Sequence, residues 1–413
     1  MPALRARGFS LVELLVAVTV SVIVVAAAVS LLFGGQRLFE TGKDDRDMQE
    51  TARVALGELT DGLRTAGYGL EPTFVFDLGQ ASTVMDRLPL GDQARFGGYQ
   101  CATPVACRDS VAGPDELVFY TRDPMFAHDL TGGVSASTLT LVGPVIGLKA
   151  GQILQIMCYG AANQWLWAYV TVGSVNASNP AQVQVTLAPD PGLPYDFPNQ
   201  NALLTEQPCF GSGLRRAFKI DRYRYFVAAV DTTGKVQPWE TPGTRPYLML
   251  DQGLSDANGP IFAVVAPDVE DLQVGYLFPL ADPALGQAAG TTPGVPLDAS
   301  ATGIDFTPAL GIPALSTPTL DPSRTSHHPA NIRAVRVAIT VRSPRTDPKV
   351  PDAAVPASLN RPAVPGEAGY RRMVFESSIY TPNLEDRVAV FPTYDPTYTS
   401  GACTGTAGNC GGG

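Results

Sequence analysis

Between Phe9 and Phe33 the chain carries a single ionisable side chain, Glu13, within a run of Leu, Val, Ile, Ala and a few hydroxyl residues. A carboxylate in such surroundings costs about 2.5–3.5 kcal/mol at mid-membrane, and less near the end of a span. It therefore calls for a partner. Arg5, Arg7 and Gly8 precede Phe9. A cut after Gly8 would create a new amine on Phe9, roughly one helical turn from Glu13. The chemistry on offer is the pairing of a buried carboxylate with an amine, not turnover.

Other residue types capable of chemistry lack the arrangement it requires. His128, His327 and His328 are the only histidines, and the adjacent pair sits in a Pro/Ser/Thr-rich stretch that reads as solvated loop. No GxSxG is present to make a nucleophile elbow, and Gly211-Ser212-Gly213 reads as a turn. Phosphate-binding loops of the GxGxxG or GxxxxGK[ST] kind are absent from the sequence. Lys43-Asp44-Asp45-Arg46-Asp47 is acidic but lacks calcium-loop spacing, and reads as a solvated helix start. Trp165 and Trp167 flank Leu166 and so share one strand face. They could form an aromatic binding platform, although a sheet face packed on a helix is the commoner cause. Six cysteines, Cys101, Cys107, Cys158, Cys209, Cys403 and Cys410, suit disulfides in an exported chain. No CxxC pair points to zinc. Connectivity stays open; pairing the close neighbours Cys101–Cys107 and Cys403–Cys410 would leave Cys158 and Cys209 to each other. No catalytic, cofactor or metal site is expected.

The elements that would position these residues follow from periodicity. The apolar run is long enough to cross a bilayer, for which roughly 20 residues suffice, and too long for the h-region of a secretory signal peptide. Gly34-Gly35 marks a soft spot. Helical pattern resumes from Asp44, with Met48, Ala52, Ala55, Leu56, Leu59, Leu63 and Ala66 on one stripe. Gly67-Tyr68-Gly69 supplies the stop. A helix from Phe9 to Ala66 would be roughly 87 Å long. Beyond it the pattern is β. Strand candidates are 116–121, 137–145, 152–157, 165–172, 182–187, 217–229, 247–250, 269–276, 334–342 and 371–380, separated by Gly, Pro, Asn and Asp. Residues 279–331 and 344–369 are Pro-rich and nearly free of aromatics, and read as flexible insertions. Net charge is −10, and losing Arg5 and Arg7 with the leader leaves 27 basic against 39 acidic residues. That balance argues against a nucleic-acid groove.

Gly8-Phe9-Ser10-Leu11-Val12-Glu13 resembles the cleavage and methylation motif of type IV prepilins. The resemblance implies cleavage after Gly8 by a membrane prepilin peptidase, methylation of the Phe9 amine, and a role for Glu13 in assembly. Gln49-Glu50-Thr51-Ala52-Arg53-Val54-Ala55-Leu56 and Leu63-Arg64-Thr65-Ala66-Gly67-Tyr68 look like the matching helix of PilW-type minor pilins and of J-type minor pseudopilins. The 269–276, 334–342 and 371–380 strands look like the late strands of PilW-type heads. The implied fold is α+β and type IV pilin-like, with a long N-terminal helix on an enlarged antiparallel β-rich head. The implied division is a leader (1–8), a membrane or filament-core half-helix (9–33), an amphipathic half (34–67), a head (68–400) and a Gly-rich tail (401–413).

The implied function is that of a non-enzymatic minor pilin in assembly initiation or at the tip. Alternatives are a minor pseudopilin of type II secretion and a tip adhesin on a pilin stalk. Implied partners are other minor pilins, the major pilin, the inner-membrane assembly platform, the prepilin peptidase and a tip adhesin. The implied location is the inner membrane through a single helix, with the head outside the cytoplasm, and then the pilus. Replacing Gly8 with Ala should block cleavage, so that only the full-length band is seen on a gel; a mature-sized band from that variant would contradict the assignment.

Overall fold

The computed structural model describes residues 10–70, 72, 75–76, 113–160, 165–188, 201, 204–205, 208–211, 213–230, 236–237, 244–256, 259–277, 319–320, 332–350, 354–359, 361–385 and 393–394. Helix α1 (Leu11–Thr65) is 55 residues long, about 82 Å. It contains no proline. It runs through Gly34-Gly35 without ending, so the soft spot costs propensity but does not break the rod. The Lys43–Asp47 cluster accordingly lies within the helix, not at a helix start.

The expected stripe is the buried one. Met48, Ala52, Ala55, Leu59, Leu63 and Ala66 join one core cluster with residues of the head, and Leu56 packs at its margin. The first half of α1 instead leaves Leu11, Ile23 and Leu31 at least 67% exposed. The two halves thus differ in surroundings as they differ in pattern.

Among the described residues the head contains three antiparallel sheets. The largest is built from β1 (Leu117–Asp129), β2 (Thr138–Val142), β3 (Ile153–Tyr159), β4 (Trp165–Asn176), β5 (Gln182–Leu187), β6 (Arg215–Val230), β7 (Val236–Gln237), β8 (Arg245–Asp256) and β9 (Gly259–Pro267). Its path runs β2-β5-β4-β3-β6-β8-β9, with β1 and β7 also paired to β6. The second sheet is β10 (Val269–Leu277), β12 (Ala334–Arg342) and β13 (Arg372–Tyr380) in that order; β11 (Thr319–Leu320) pairs with β14 (Thr393–Tyr394).

Two departures from the expected strands have local causes. β1 runs past Thr121 to Asp129, through Pro124, because its register with β6 shifts between Arg122 and Ala127. The looped-out turn is closed by the Asp123 carboxylate, which accepts from the Met125 N–H at 2.8 Å. β9 was not among the expected strands; it pairs with β8 alone, and such an edge tolerates the prolines near its two ends.

In the three-stranded sheet, β10 and β12 are covered on both faces. Leu272, Val274 and Tyr276 pair in register with Ile339, Val337 and Val335, and all six belong to the helix-facing core. On the opposite face lies Asp271, fully buried and ion-paired with the equally buried Arg361 at 2.5 Å. Gln273 Nε2 and Ser358 Oγ donate to the same carboxylate at 3.0 and 3.2 Å. Burial pushes the Asp271 carboxyl up, and Arg361 works against that shift. Arg361 and Ser358 belong to the 344–369 stretch. Its described part is not a loose insertion: backbone bridges join Val355 to Val364 and Ser358 to Arg361, and Val355 is buried. Low aromatic content hid this because a charge, not a ring, seats the segment. Of 279–331, only Thr319–Leu320 are described, and the 401–413 tail lies outside the described residues.

Three changes probe this packing. Arg361→Ala leaves the Asp271 carboxylate buried without its cation and should cost about 3–5 kcal/mol; equilibrium denaturation of the detergent-solubilised chain measures it, and an unchanged midpoint would remove the pair from the account. On α1, a Cβ at Gly62 would lie 2.8 Å from Tyr225 Oη and 3.2 Å from Phe119 Cζ, whereas one at Gly57 meets nothing within 4 Å. Gly62→Val should therefore destabilise by about 1–3 kcal/mol through overpacking. Gly57→Ala should stabilise by about 0.5–1 kcal/mol through helix propensity. Equal effects on the denaturation midpoint would show that Gly62 is not a packing site.

Candidate functional site

The start of α1 is closed by its own side chains. Ser10 is the N-cap, in extended backbone conformation. Its Oγ accepts from the Glu13 N–H at 3.2 Å, and its own backbone N–H donates to Glu13 Oε2 at 3.0 Å. The Ser10 hydroxyl also lies 3.1 Å from Glu13 Oε2 and donates to it. This is a capping box, in which one serine and one glutamate satisfy two otherwise orphan N–H groups. The carboxylate also sits at the positive end of the helix dipole. Glu13 thus has partners before any second chain is considered. Ser-x-x-Glu ahead of an apolar run is the local signal for such a box, and Ser10 and Glu13 supply it.

Further along the same half, two hydroxyl side chains bond back to the backbone. Thr19 Oγ1 donates to the Leu15 and Val16 carbonyls, and Ser30 Oγ to the Ala26 carbonyl. Such bonds lower the cost of placing hydroxyls in hydrocarbon. The half-helix therefore presents Val, Leu, Ile and Ala outward, with Glu13 at its end. Gly8 and Phe9 lie outside the described residues, and with them the expected pairing of the Phe9 amine with Glu13.

The other end of α1 is fastened to the head. Thr121 Oγ1 donates to the Thr65 carbonyl at 2.8 Å, and Asn383 Nδ2 donates to the Arg64 and Ala66 carbonyls at 3.2 and 3.1 Å. The chain leaves the helix through Gly67 at φ +76°, in the left-handed region that favours glycine. The Gly67 N–H donates to the Tyr120 carbonyl, and the Arg122 N–H to the Tyr68 carbonyl. The glycine stop is a local signal in the sequence; Asn383 is not, since its bond to Arg64 spans 319 residues.

At the junction of helix and head, Asp44 faces Arg371 and Arg345. Burial pushes its carboxyl up, and the two guanidinium groups pull it back.

The remaining candidates are dispersed. Cys158 and Cys209 form a disulfide with Cα atoms 5.7 Å apart; Cys101, Cys107, Cys403 and Cys410 lie outside the described residues. His128 Nδ1 sits 3.0 Å from the Val142 carbonyl, and its ring packs edge-on against Phe126. His327 and His328 lie outside the described residues. Trp165 and Trp167 are 45% and 42% exposed, so they do not pack beneath the helix stripe. Tyr169, on the same face, is the residue that joins that core.

A family model described as the prokaryotic N-terminal methylation motif matches residues 4–29. No curated protein and no solved structure matches the chain. Residues 4–29 are thus a type IV pilin-like prepilin signal, and they lead into a helix long and apolar enough to cross a bilayer, ahead of a β-rich α+β head.

Proposed function

We propose that this chain is a PilW-type minor pilin of a type IV pilus, held in the membrane and then in the filament by α1, and acting in assembly initiation or at the tip without catalysing a reaction. One observation carries the reading. The methylation motif opens a single unbroken helix whose first half is apolar and exposed and whose second half buries one stripe against a large head. Apolar side chains left outside by the chain's own fold are matched either by lipid or by the same half-helix of other subunits. A principal subunit must repeat many times at close spacing, and a head that shows three sheets among its described residues suits a rarer position.

Cleavage after Gly8 and methylation of Phe9 would leave an amine beside Ser10. Transfer from bilayer to filament then needs a buried carboxylate and a buried amine to find each other, between neighbours or within one chain. The capping box supports a holding role for Ser10: it keeps Glu13 partnered until the amine arrives. A minor pseudopilin of a secretion filament shares the same N-terminal logic. The two readings separate on whether deletion abolishes surface pili or protein secretion.

Glu13→Ala should leave cleavage intact and exclude the chain from the filament. Mass spectrometry of purified pili reads both results, because wild type should contribute peptides beginning with methylated Phe9. Incorporation of the Ala variant at the wild-type level would end the proposal.

A further inference from the structure

Where the chain leaves α1, it passes a guanidinium that the fold leaves without a counter-charge. Arg122 lies on β1, just before the register with β6 shifts. Its backbone N–H donates to the Tyr68 carbonyl, and its guanidinium lies so close over Gly69 that a Cβ there would collide with it. Two rings hold the group: Cζ sits 5.4 Å from the Tyr68 ring centroid and 4.5 Å from that of Phe218. Nη1 meets only a weak acceptor, the Met157 Sδ at 3.9 Å. Among the described residues no carboxylate pairs with Arg122, and its Nε and Nη2 groups have no hydrogen-bond partner and reach solvent. By contrast, Arg216 is paired with Asp129, Lys219 with Asp123 and Asp221, and Arg224 with Glu116.

Met157 joins this cation to an exposed aromatic corner. It lies two residues before Tyr159 on β3, and therefore on the same face. Tyr159 is in register with Trp165; their rings meet edge-to-face with centroids 5.2 Å apart and remain 44% and 45% exposed. Tyr68, on the other side of the guanidinium, is 42% exposed. The strand beneath is held from behind by Cys158, which points into a second core cluster and is tied to Cys209. Cation and rings are thus ordered before any partner arrives, which lowers the entropic cost of binding. Arg, Tyr and Trp are also the side chains on which binding energy concentrates at protein interfaces.

We propose that this surface docks an acidic segment of a partner protein, with one carboxylate seated on the Arg122 Nε–Nη2 edge and neighbouring apolar side chains on Tyr68 and the Tyr159–Trp165 corner. Charge selects the occupant. A guanidinium offers two parallel donors to a carboxylate, and stacking between rings leaves that edge open. A phosphorylated segment calls for a cluster of cations, whereas Arg216, Lys219 and Arg224 are already committed to carboxylates. The net charge of −10 repels extended polyanions such as nucleic acid. Lipid headgroups are disfavoured by position, because Thr65, where the rod ends, lies about 48 Å along α1 from Phe33. In a filament, as proposed above, the surface lies at the end of α1 remote from the apolar half, so the partner is a protein on that side. The binding itself rests on the head alone.

The test uses the full chain in dodecyl maltoside, an uncharged detergent, with calorimetry corrected for titration into micelles alone. The probe is the peptide acetyl-Ser-Leu-Glu-Leu-Ser-amide, compared with the same peptide carrying Gln in place of Glu. The Glu peptide should bind saturably, with a dissociation constant on the order of 1 mM or tighter, and the Gln peptide roughly ten-fold more weakly. Raising the ionic strength to about 1 M, where the screening length falls to about 3 Å, should narrow that difference. Arg122→Gln should abolish the preference for Glu, and Arg122→Lys should keep a reduced part of it, since an ammonium lacks the guanidinium fork. Trp165→Ala should weaken both peptides and leave the preference in place, with the melting temperature of wild type because this side chain lies outside the core. That variant and the peptide pair decide the matter if Arg122→Gln does not fold. No saturable binding of the Glu peptide, or equal binding of the two peptides, would overturn the proposal, as would a folded Arg122→Gln chain that still prefers Glu. Arg122-dependent capture by phosphatidylglycerol vesicles without peptide binding would make the surface a membrane contact and also overturn it. Peptide binding by a chain that never appears in purified pili would refute the pilin reading and leave this site standing.

Discussion

Everything in this molecule depends on burial of one helical stripe. Met48, Ala52, Ala55, Leu59, Leu63 and Ala66 close the helix-facing core, and Leu272, Val274, Tyr276, Val335, Val337 and Ile339 meet them from the three-stranded sheet. Burying an aliphatic side chain contributes on the order of 1.5–3 kcal/mol, so this contact is among the larger favourable terms available to the head. It also fixes the direction in which the rest of α1 leaves the head. The three alanines and Gly62 let backbone and sheet approach closely, and larger residues at the other stripe positions fill the space.

The polar groups of the head follow the same logic. Strands β10 and β12 are buried on both faces, so their second face cannot rely on water. There the Asp271 carboxylate accepts from Gln273 and Ser358 and pairs with Arg361. Glu116 and Arg224 form a comparable buried pair, through Arg224 Nη2 and Nε at 2.6 and 3.1 Å. Asp115, just before β1, accepts from the Val274 N–H at 2.9 Å and so ties the largest sheet to the smaller one. Such pairs are costly to break and restrict which segments can lie side by side.

Much of this was legible in the sequence. The stripe, the glycine stop at Gly67 and most strands follow from periodicity and turn residues, which are local. The prepilin signal is local as well and compact enough to read from a few residues. Long-range features were not legible. Asn383 caps α1 from far along the chain, Arg361 is seated by a carboxylate in another element, and β9 forms an edge whose prolines argue against a strand when read alone. Trp165 and Trp167 show the limit of pattern from the other side: alternation gave their shared face, but only the folded head decides whether that face meets a helix or water.

The bond between Asn383 and the end of α1 has a temporal consequence. The Arg64 and Ala66 carbonyls are made early, and the amide that closes them is made 319 and 317 residues later. A ribosome adding 5–20 residues per second, about the usual range, needs tens of seconds to cross that interval. Throughout it the helix end has only water as a substitute for Asn383, and the core beneath it lacks Leu384. The head thus matures last at the place where it grips its rod, so a shortened or stalled chain carries its stalk without a finished joint.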